Sequence, residues 1–115
     1  MQHSSPFKAI VSDAKQRIKE ISIDEVKQWQ AAGEAFYFID TREESEFNKD
    51  ALPNAIHLSK GIIERDIDEI VPDKNAKIVL YCGGGSRSAL AADNLQKMGY
   101  TNVYSMACGY RGWCG

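Results

Sequence analysis

A nucleophile, a flexible loop and a cation lie close together in the segment Cys82–Arg87. The apolar run Ile78–Tyr81 before it is typical of a buried strand, and helical spacing follows over residues 88–98. The glycines Gly83–Gly85 can take positive φ without steric cost, so they can curl the backbone and turn successive N–H groups inward. Such a nest attracts anions, and the following helix N-terminus adds partial positive charge. The segment therefore predicts an anion site beyond the carboxyl end of a strand.

The anion to be stabilised in this loop is the thiolate of Cys82 itself. Free cysteine has a pKa of about 8.5, and a helix N-terminus or a nearby arginine lowers it. With Arg87 at the rim, Cys82 is predicted to be a reactive nucleophile, and the same donors would stabilise a terminal persulfide, Cys–S–S⁻. An inert, buried cysteine is the alternative. Three glycines without a packing role weaken that alternative, because their conformational cost must be offset.

The sequence Cys-Gly-Gly-Gly-Ser-Arg-Ser, between a strand and a helix, resembles the active-site loop of the rhodanese superfamily. Four residues separate Cys82 from Arg87, the spacing common among its sulfurtransferases, whereas the phosphatase branch uses the longer Cys-x5-Arg. The resemblance implies a five-stranded parallel sheet with helices on both faces. Other segments, between residues 21 and 113, resemble the family in the same order: Ile39–Glu43 with Glu46 and Phe47, Leu52–Leu58, Gly99–Tyr104 and Gly109–Trp113.

Three positions depart from the family pattern. Asp50 and Ala51 stand where the family has Gly-His, and Cys108 replaces the first glycine of the closing segment. Gly83 occupies a loop position that is often basic or bulky in the family. The last departure leaves Arg87 as the one cation predicted for the pocket.

The elements that would position this loop alternate between strands and helices, which predicts an α/β domain with a mainly parallel sheet. We expect an N-terminal helical extension over residues 1–20 and a rhodanese-like domain over residues 21–115. The predicted strands cover residues 21–23, 35–39, 55–58, 78–81 and 103–105. The predicted helices include one carrying Phe7, Ile10, Val11, Ala14 and Ile18, and others over 24–32 with Asp24 as cap, 43–49, 61–70 and 88–98, before a C-terminal turn with Tyr110 and Trp113.

Composition limits the class of function. A net charge of -2 is unusual for a nucleic-acid platform. No apolar run approaches the roughly 18 residues of a membrane span, and the N-terminus lacks a signal-peptide core, so we expect a cytoplasmic protein. The three cysteines form no Cys-x-x-Cys, and His3 lies far from His57, which predicts neither a metal site nor a cofactor.

Several other residues are candidates for the site. We expect the substrate to contact Gly83, Gly84, Gly85, Ser86, Arg87 and Ser88, with Ser86 or Ser88 alternatively capping the helix. Asp40 and Arg42, at the end of the second strand, are expected to support the site from behind. His57, among apolar neighbours, is interpreted as structural, whereas Cys108 and Cys114 are ordinary thiols unless one lies close to Cys82.

The leading hypothesis is a sulfurtransferase that carries sulfane sulfur as a Cys82 persulfide. Thiosulfate or a small persulfide would donate the sulfur, and cyanide or a thiol, for which a thioredoxin-like protein is one candidate, would accept it. One alternative is the phosphatase or arsenate-reductase branch of the fold, which the loop length disfavours. Another is a non-catalytic rhodanese-like module that only docks a partner.

Overall fold

The computed structural model describes residues 3–115, and within this range five strands and six helices alternate. The elements are α1 (Ser5–Lys15), β1 (Lys19–Ile21), α2 (Ile23–Ala31), β2 (Tyr37–Asp40), α3 (Glu44–Lys49), β3 (Ile56–His57), α4 (Ile63–Ile70), β4 (Ile78–Tyr81), α5 (Ser86–Lys97), β5 (Val103–Met106) and α6 (Gly109–Cys114). The strands pair in the order β1-β5-β4-β2-β3, and every pairing is parallel. The predicted five-stranded parallel α/β fold with an additional N-terminal helix is confirmed.

Strand β4 lies at the centre of the sheet, and its side chains alternate between two buried faces. Ile78 and Leu80 pack into a cluster with apolar residues of α4 and α5. Val79 and Tyr81 pack into a second cluster, to which α2 and α6 contribute. All four side chains are fully buried. A strand covered on both faces carries no polar alternation, which explains the uninterrupted apolar run before Cys82.

The first strand and the following helix begin two residues earlier than the sequence pattern predicts. Strand β1 ends at Ile21, and Ser22 rather than Asp24 is the N-cap of α2. The Ser22 hydroxyl accepts a hydrogen bond from the Glu25 N–H at 3.1 Å, and the Glu25 carboxylate accepts one from the Ser22 N–H at 3.4 Å. This capping box satisfies two helix-end donors, an advantage that a cap at Asp24 would lose.

The C-terminal segment is a helix where the sequence pattern predicts a turn. Helix α6 begins at Gly109, which has φ +51°, after Cys108 with φ +67°. Tyr110 and Trp113 lie one helical turn apart, and both pack against the apolar cluster on that face of the sheet. Trp113 lies over Phe38, with 6.0 Å between the ring centroids. Packing of these two aromatic side chains therefore stabilises a short helix that the sequence pattern does not predict.

Helix α1 packs against α5 through Val11 and Ala14, which are buried. The Arg17 guanidinium, just beyond the helix, donates to both carboxylate oxygens of Asp93 on α5, at 3.0 Å from Nε and 2.7 Å from Nη2. The hydrogen bond with Arg17 lowers the pKa of Asp93, so this bidentate ion pair is charged at neutral pH. None of the helices within residues 3–115 has the length and apolar character needed to cross a bilayer.

Candidate active site

Cys82 follows β4 directly and lies at the start of the loop that leads into α5. The residue is 1% exposed. Gly85 is the N-cap of α5 with φ +102°, whereas Gly83 and Gly84 have ordinary backbone angles. The left-handed conformation at Gly85 turns its N–H toward the thiol, and this N–H donates to Sγ at 3.1 Å. A single glycine therefore makes the sharp turn that all three were expected to share.

The pKa of the Cys82 thiol is lowered although the thiol is buried. Burial raises the pKa, because a thiolate is poorly solvated there. Hydrogen bonds from the Ser88 hydroxyl and from the backbone N–H groups of Ser88, Gly84 and Gly85 outweigh that effect. The N-terminus of α5 points its unpaired N–H groups at the same sulfur. The thiolate of Cys82 is therefore more favourable in this site than the thiolate of a free cysteine is in water.

Ser88 contacts the sulfur rather than capping the helix. Gly85 is the N-cap, so the prediction that Ser86 or Ser88 caps α5 is wrong. The Ser88 hydroxyl lies 3.5 Å from Cys82 Sγ and 2.8 Å from the hydroxyl of Ser105 on β5. Both serines are fully buried. Ser105, which sequence reasoning missed, thus orients the hydroxyl that faces the thiol.

Arg87 forms an ion pair with Glu46 on α3. Its Nη1 lies 2.7 Å from Oε1 and its Nη2 lies 3.3 Å from Oε2. The hydrogen bond from Arg87 is the main reason that the pKa of Glu46 falls to about 2. A paired carboxylate that stays ionised offsets the charge of Arg87. Arg87, which was expected to contact the substrate, lines the pocket but is already paired with a carboxylate.

A second guanidinium, from Arg111 on α6, lies over the glycine loop. The position that a Cβ on Gly83 would occupy is 2.7 Å from Arg111 Nη1 and 3.2 Å from Arg87 Nη2. At Gly84, a Cβ would collide with Arg111 Nη2. The missing side chains of Gly83 and Gly84 thus make room for a cation from another element. Sequence reasoning missed Arg111, because nothing in the spacing of the loop points to α6.

Helix α6 is joined to the loop by its own N-terminal N–H groups. The Tyr110 N–H donates to the Cys82 carbonyl at 2.7 Å, and the Arg111 N–H donates to the Gly83 carbonyl at 3.0 Å. Gly109 permits this approach, since a Cβ there would clash with the Cys82 carbonyl oxygen and lie 2.9 Å from the Gly83 carbonyl carbon. The first N–H groups of α6 therefore bind the carbonyls of Cys82 and Gly83, while the N–H of Gly85, in the loop itself, faces the thiol.

Asp40 and Arg42 support this arrangement from behind the loop. Both are buried, and Arg42 Nη2 lies 2.9 Å from Asp40 Oδ2. Arg42 also donates to the Asp50 carbonyl at 2.6 Å, and its guanidinium lies 4.2 Å from the centre of the Tyr110 ring. The Tyr110 hydroxyl in turn donates to the Asp50 carboxylate at 2.6 Å. The buried ion pair thus braces α6 and does not line the pocket above Cys82.

A pocket of about 580 Å³ opens above the thiol. It brings together Cys82 and three of the predicted contact residues, Gly84, Ser86 and Arg87, with side chains from three other elements. Its full lining is His3, Phe7, Glu46, Cys82, Gly84, Ser86, Arg87 and Arg111. Two of these belong to the N-terminal segment, whose part in the pocket was not predicted. Phe7 is half-buried there, 4.8 Å from the His3 ring.

Three predicted contact residues, Gly83, Gly85 and Ser88, lie beside Cys82 but are absent from the lining of its pocket, whereas the other cysteines and His57 lie elsewhere. Cys108 and Cys114 are exposed free thiols, and Cys108 borders a separate shallow pocket with Ser22 and Lys27. The His57 ring stacks on Phe47 at 4.6 Å and its Nε2 lies 2.8 Å from the Arg42 carbonyl, which are structural contacts. Within residues 3–115, no group of three His, Cys, Asp or Glu side chains is placed to hold a metal ion.

Comparison with known proteins agrees with this geometry. A solved structure from Rhodopseudomonas palustris, RPA3614, is described as a protein of unknown function and possible tyrosine phosphatase. It superposes with a TM-score of 0.87 at 27% identity, covering 99% of this chain and 92% of its own. The likeness therefore includes α1 as well as the sheet.

Two relatives carry names that refer to sulfur. YrkF of Bacillus subtilis, named for a sulfur carrier role, is 33% identical over 98 residues, 85% of this chain and 52% of YrkF. PspE of Escherichia coli, a thiosulfate sulfurtransferase, is 33% identical over 69 residues, 60% of this chain and 66% of PspE. The chain thus spans about half the length of YrkF. The sequence profile of the rhodanese-like domain matches residues 22–115, and the chain belongs to this family, which includes sulfurtransferases.

Proposed function

We propose that this chain is a sulfurtransferase that carries sulfane sulfur as a persulfide on Cys82. The observation that supports this most directly is the environment of the thiol. Cys82 Sγ accepts from the Gly85 N–H at 3.1 Å, lies 3.5 Å from the Ser88 hydroxyl and sits at the N-terminus of α5. These donors favour the thiolate that attacks the sulfur donor, and in the persulfide the charge lies on the terminal sulfur, one bond further into the pocket.

In the first half-reaction, the Cys82 thiolate attacks the outer sulfur of the donor. With thiosulfate, the new S–S bond forms as the bond between sulfane sulfur and sulfonate breaks, and sulfite leaves with that bonding pair. The products are Cys82–S–S⁻ and sulfite, so the charge is conserved and no external oxidant is needed. The name of PspE, a thiosulfate sulfurtransferase, supports thiosulfate as one donor, and a small persulfide would react in the same way.

In the second half-reaction, an acceptor attacks the terminal sulfur of the persulfide. A thiolate would leave as a new persulfide and cyanide would leave as thiocyanate, and in both cases the Cys82 thiolate is regenerated. The pocket of about 580 Å³ admits small molecules of either kind. Because the enzyme alternates between two covalent states, ping-pong kinetics are expected.

Phosphate chemistry is less well supported by the loop. Four residues separate Cys82 from Arg87. A phosphoryl group needs donors around three oxygens, whereas a terminal sulfur is one atom. Arg87 is also engaged by Glu46 at 2.7 Å, which leaves it less available to a phosphate. The description of RPA3614 as a possible tyrosine phosphatase makes aryl phosphate hydrolysis a necessary comparison in any assay.

The test is mass spectrometry of the intact protein after thiosulfate treatment, followed by a thiocyanate assay. The wild-type protein should gain one sulfur atom, lose it to cyanide, and leave an aryl phosphate intact. The variant Cys82→Ser should gain none, whereas the matched control Cys108→Ser, at an exposed thiol, should behave like the wild type. A sulfur adduct that persists in Cys82→Ser, or rapid phosphate release, would refute the proposal.

A further inference from the structure

Two cationic side chains converge above the glycine loop, and they differ in what they touch. Arg87 is paired with the Glu46 carboxylate through two contacts, at 2.7 and 3.3 Å. For Arg111, by contrast, no carboxylate oxygen of residues 3–115 lies within 4.0 Å. Of the two guanidinium groups that the described residues place at the pocket wall, that of Arg111 is therefore the one without a carboxylate partner.

We propose that Arg111 is the residue that determines specificity for an anionic sulfur donor, by binding the sulfonate of thiosulfate or a chemically similar oxyanion. This inference rests on the function proposed above. Sulfur transfer requires the outer sulfur of the donor to reach Sγ, so the oxyanion end must lie in the pocket outside the loop. Arg111 lines that pocket, with Nη1 and Nη2 directed over Gly83 and Gly84.

The chemistry of the guanidinium suits this task. Its planar fork donates two parallel hydrogen bonds to an oxyanion. As the S–S bond of thiosulfate breaks, the electron pair moves onto the departing sulfite. A cation at that end would therefore stabilise the transition state as well as the bound donor.

Helix α6 holds Arg111 in place at several points. Its backbone N–H is bonded to the Gly83 carbonyl at 3.0 Å, and the preceding Tyr110 is bonded to Asp50 through its hydroxyl at 2.6 Å. The ring of Tyr110 also lies against the buried Arg42 guanidinium. A side chain on a helix that is held by several contacts loses less conformational freedom on binding an anion than a side chain on a mobile loop does.

Gly83 and Gly84 leave open the space that the Arg111 guanidinium occupies. Gly83 carries no side chain, and Arg111 Nη1 lies 2.7 Å from the place where one would begin. Gly83 and Gly84 carry no charge themselves, so the charge that lies over them comes from α6. A methyl group at Gly84 would collide with Arg111 Nη2, so Gly84→Ala should displace the guanidinium.

The first experiment compares Arg111→Gln, Arg111→Lys and the charge-matched control Arg65→Gln in the thiosulfate assay. Arg65 lies on α4, with its side chain 75% exposed and paired to Asp66, outside the Cys82 pocket. Losing a charged hydrogen bond should lower kcat/KM for thiosulfate by about tenfold in Arg111→Gln. Arg111→Lys should retain part of the activity, and Arg65→Gln all of it. Equal kcat/KM in Arg111→Gln and Arg65→Gln would overturn the proposal.

The second experiment does not depend on turnover. Iodoacetamide is neutral and should alkylate Cys82 at similar rates in the wild type and in Arg111→Gln, whereas sulfate should protect Cys82 in the wild type and about tenfold less well in the variant. Absent or equal protection would overturn the inference. If the wild type accepts no sulfur from thiosulfate but sulfate protection depends on Arg111, the sulfurtransferase proposal fails while the anion site stands.

Discussion

Gly109 offers a test of how closely α6 must approach the cysteine loop. A Cβ on this residue would clash with the Cys82 carbonyl oxygen and lie 2.9 Å from the carbonyl carbon and oxygen of Gly83. All of these atoms belong to the backbone and cannot rotate away. In Gly109→Ala, we therefore expect α6 to shift outward and to lose the hydrogen bonds from Tyr110 and Arg111 to the loop.

The expected loss of stability has two parts. Residue 109 has φ +51°, and placing alanine there costs about 1–2 kcal/mol. Two backbone hydrogen bonds, at 2.7 and 3.0 Å, contribute about 1 kcal/mol each. Their sum, about 3–4 kcal/mol, is a large fraction of the stability of a domain of this size. Activity should fall as well, because Arg111 moves with the helix.

The matched control is Gly33→Ala, since Gly33 also has positive φ, +73°, but no atom lies within 4 Å of its Cβ position. The control carries the strain and the change in unfolded-chain entropy without the clash. Urea unfolding of both variants should give a free energy of unfolding about 2 kcal/mol lower for Gly109→Ala than for Gly33→Ala. Equal values, with equal activities, would refute the view that the approach of α6 to the loop is close and necessary.

Three further predictions concern Cys82, Glu46 and the loop length. Replacing Ser88 with alanine removes a hydroxyl 3.5 Å from Sγ, so the pKa of Cys82 should rise. Alkylation of Cys82 by iodoacetamide at pH 7 should then slow by about 3- to 10-fold. An unchanged dependence of the alkylation rate on pH would contradict this role of Ser88. Because the folded-state pKa of Glu46 is about 2, against 4.5 for a free carboxyl, its ion pair should stabilise the fold above pH 4.5 and lose this effect as the pH falls toward 2. The free energy of unfolding measured in urea should differ between the wild type and Glu46→Gln by less than about 1 kcal/mol at neutral pH, since the pair is partly exposed. This difference should shrink as the pH falls toward 2, and a constant difference would exclude the ionic contribution. One glycine inserted after Gly84 should let the loop bind an aryl phosphate at the expense of sulfur transfer. The reason is that each hydrogen-bond donor that fails to reach a phosphate oxygen costs about 1–3 kcal/mol. An inserted variant without any phosphatase activity would show that loop length does not select the substrate.

The parts of the site that the sequence predicts are those built from contiguous residues. Strand β4, the turn after it and helix α5 follow one another within residues 78–97. The sequence pattern of this one segment therefore predicts that Cys82 lies at the edge of the sheet and that donors of the same segment face it. The same holds for the pair Asp40 and Arg42, which lies at the end of the neighbouring strand β2. Local pattern and resemblance together also predict the parallel sheet.

The parts that the sequence does not reveal come from residues far apart in the chain. Glu46 is 41 residues from its partner Arg87, and Ser105 is 17 residues from Ser88. Which carboxylate reaches an arginine, or which hydroxyl reaches another, depends on packing rather than on spacing. The same applies to Phe7, whose helical periodicity predicts α1 but not the pocket that α1 borders. The boundary of α2 fails for a different reason, since Ser22 and Asp24 are both good caps and only the former forms a capping box with Glu25.

Separating the cation from the loop has a chemical consequence. A basic side chain at residue 83 would move with the same backbone that must close around the sulfur. With glycine there, the loop can adopt the conformation that directs the Gly85 N–H at Sγ, at 3.1 Å, without positioning a charge as well. The charge is carried instead by the Arg111 side chain, on a helix joined to the loop carbonyls through the N–H groups of Tyr110 and Arg111. Substitution of the Arg111 side chain leaves the Gly85 N–H and the Ser88 hydroxyl at Sγ in place. It should therefore change donor use more than it changes the reactivity of the thiol.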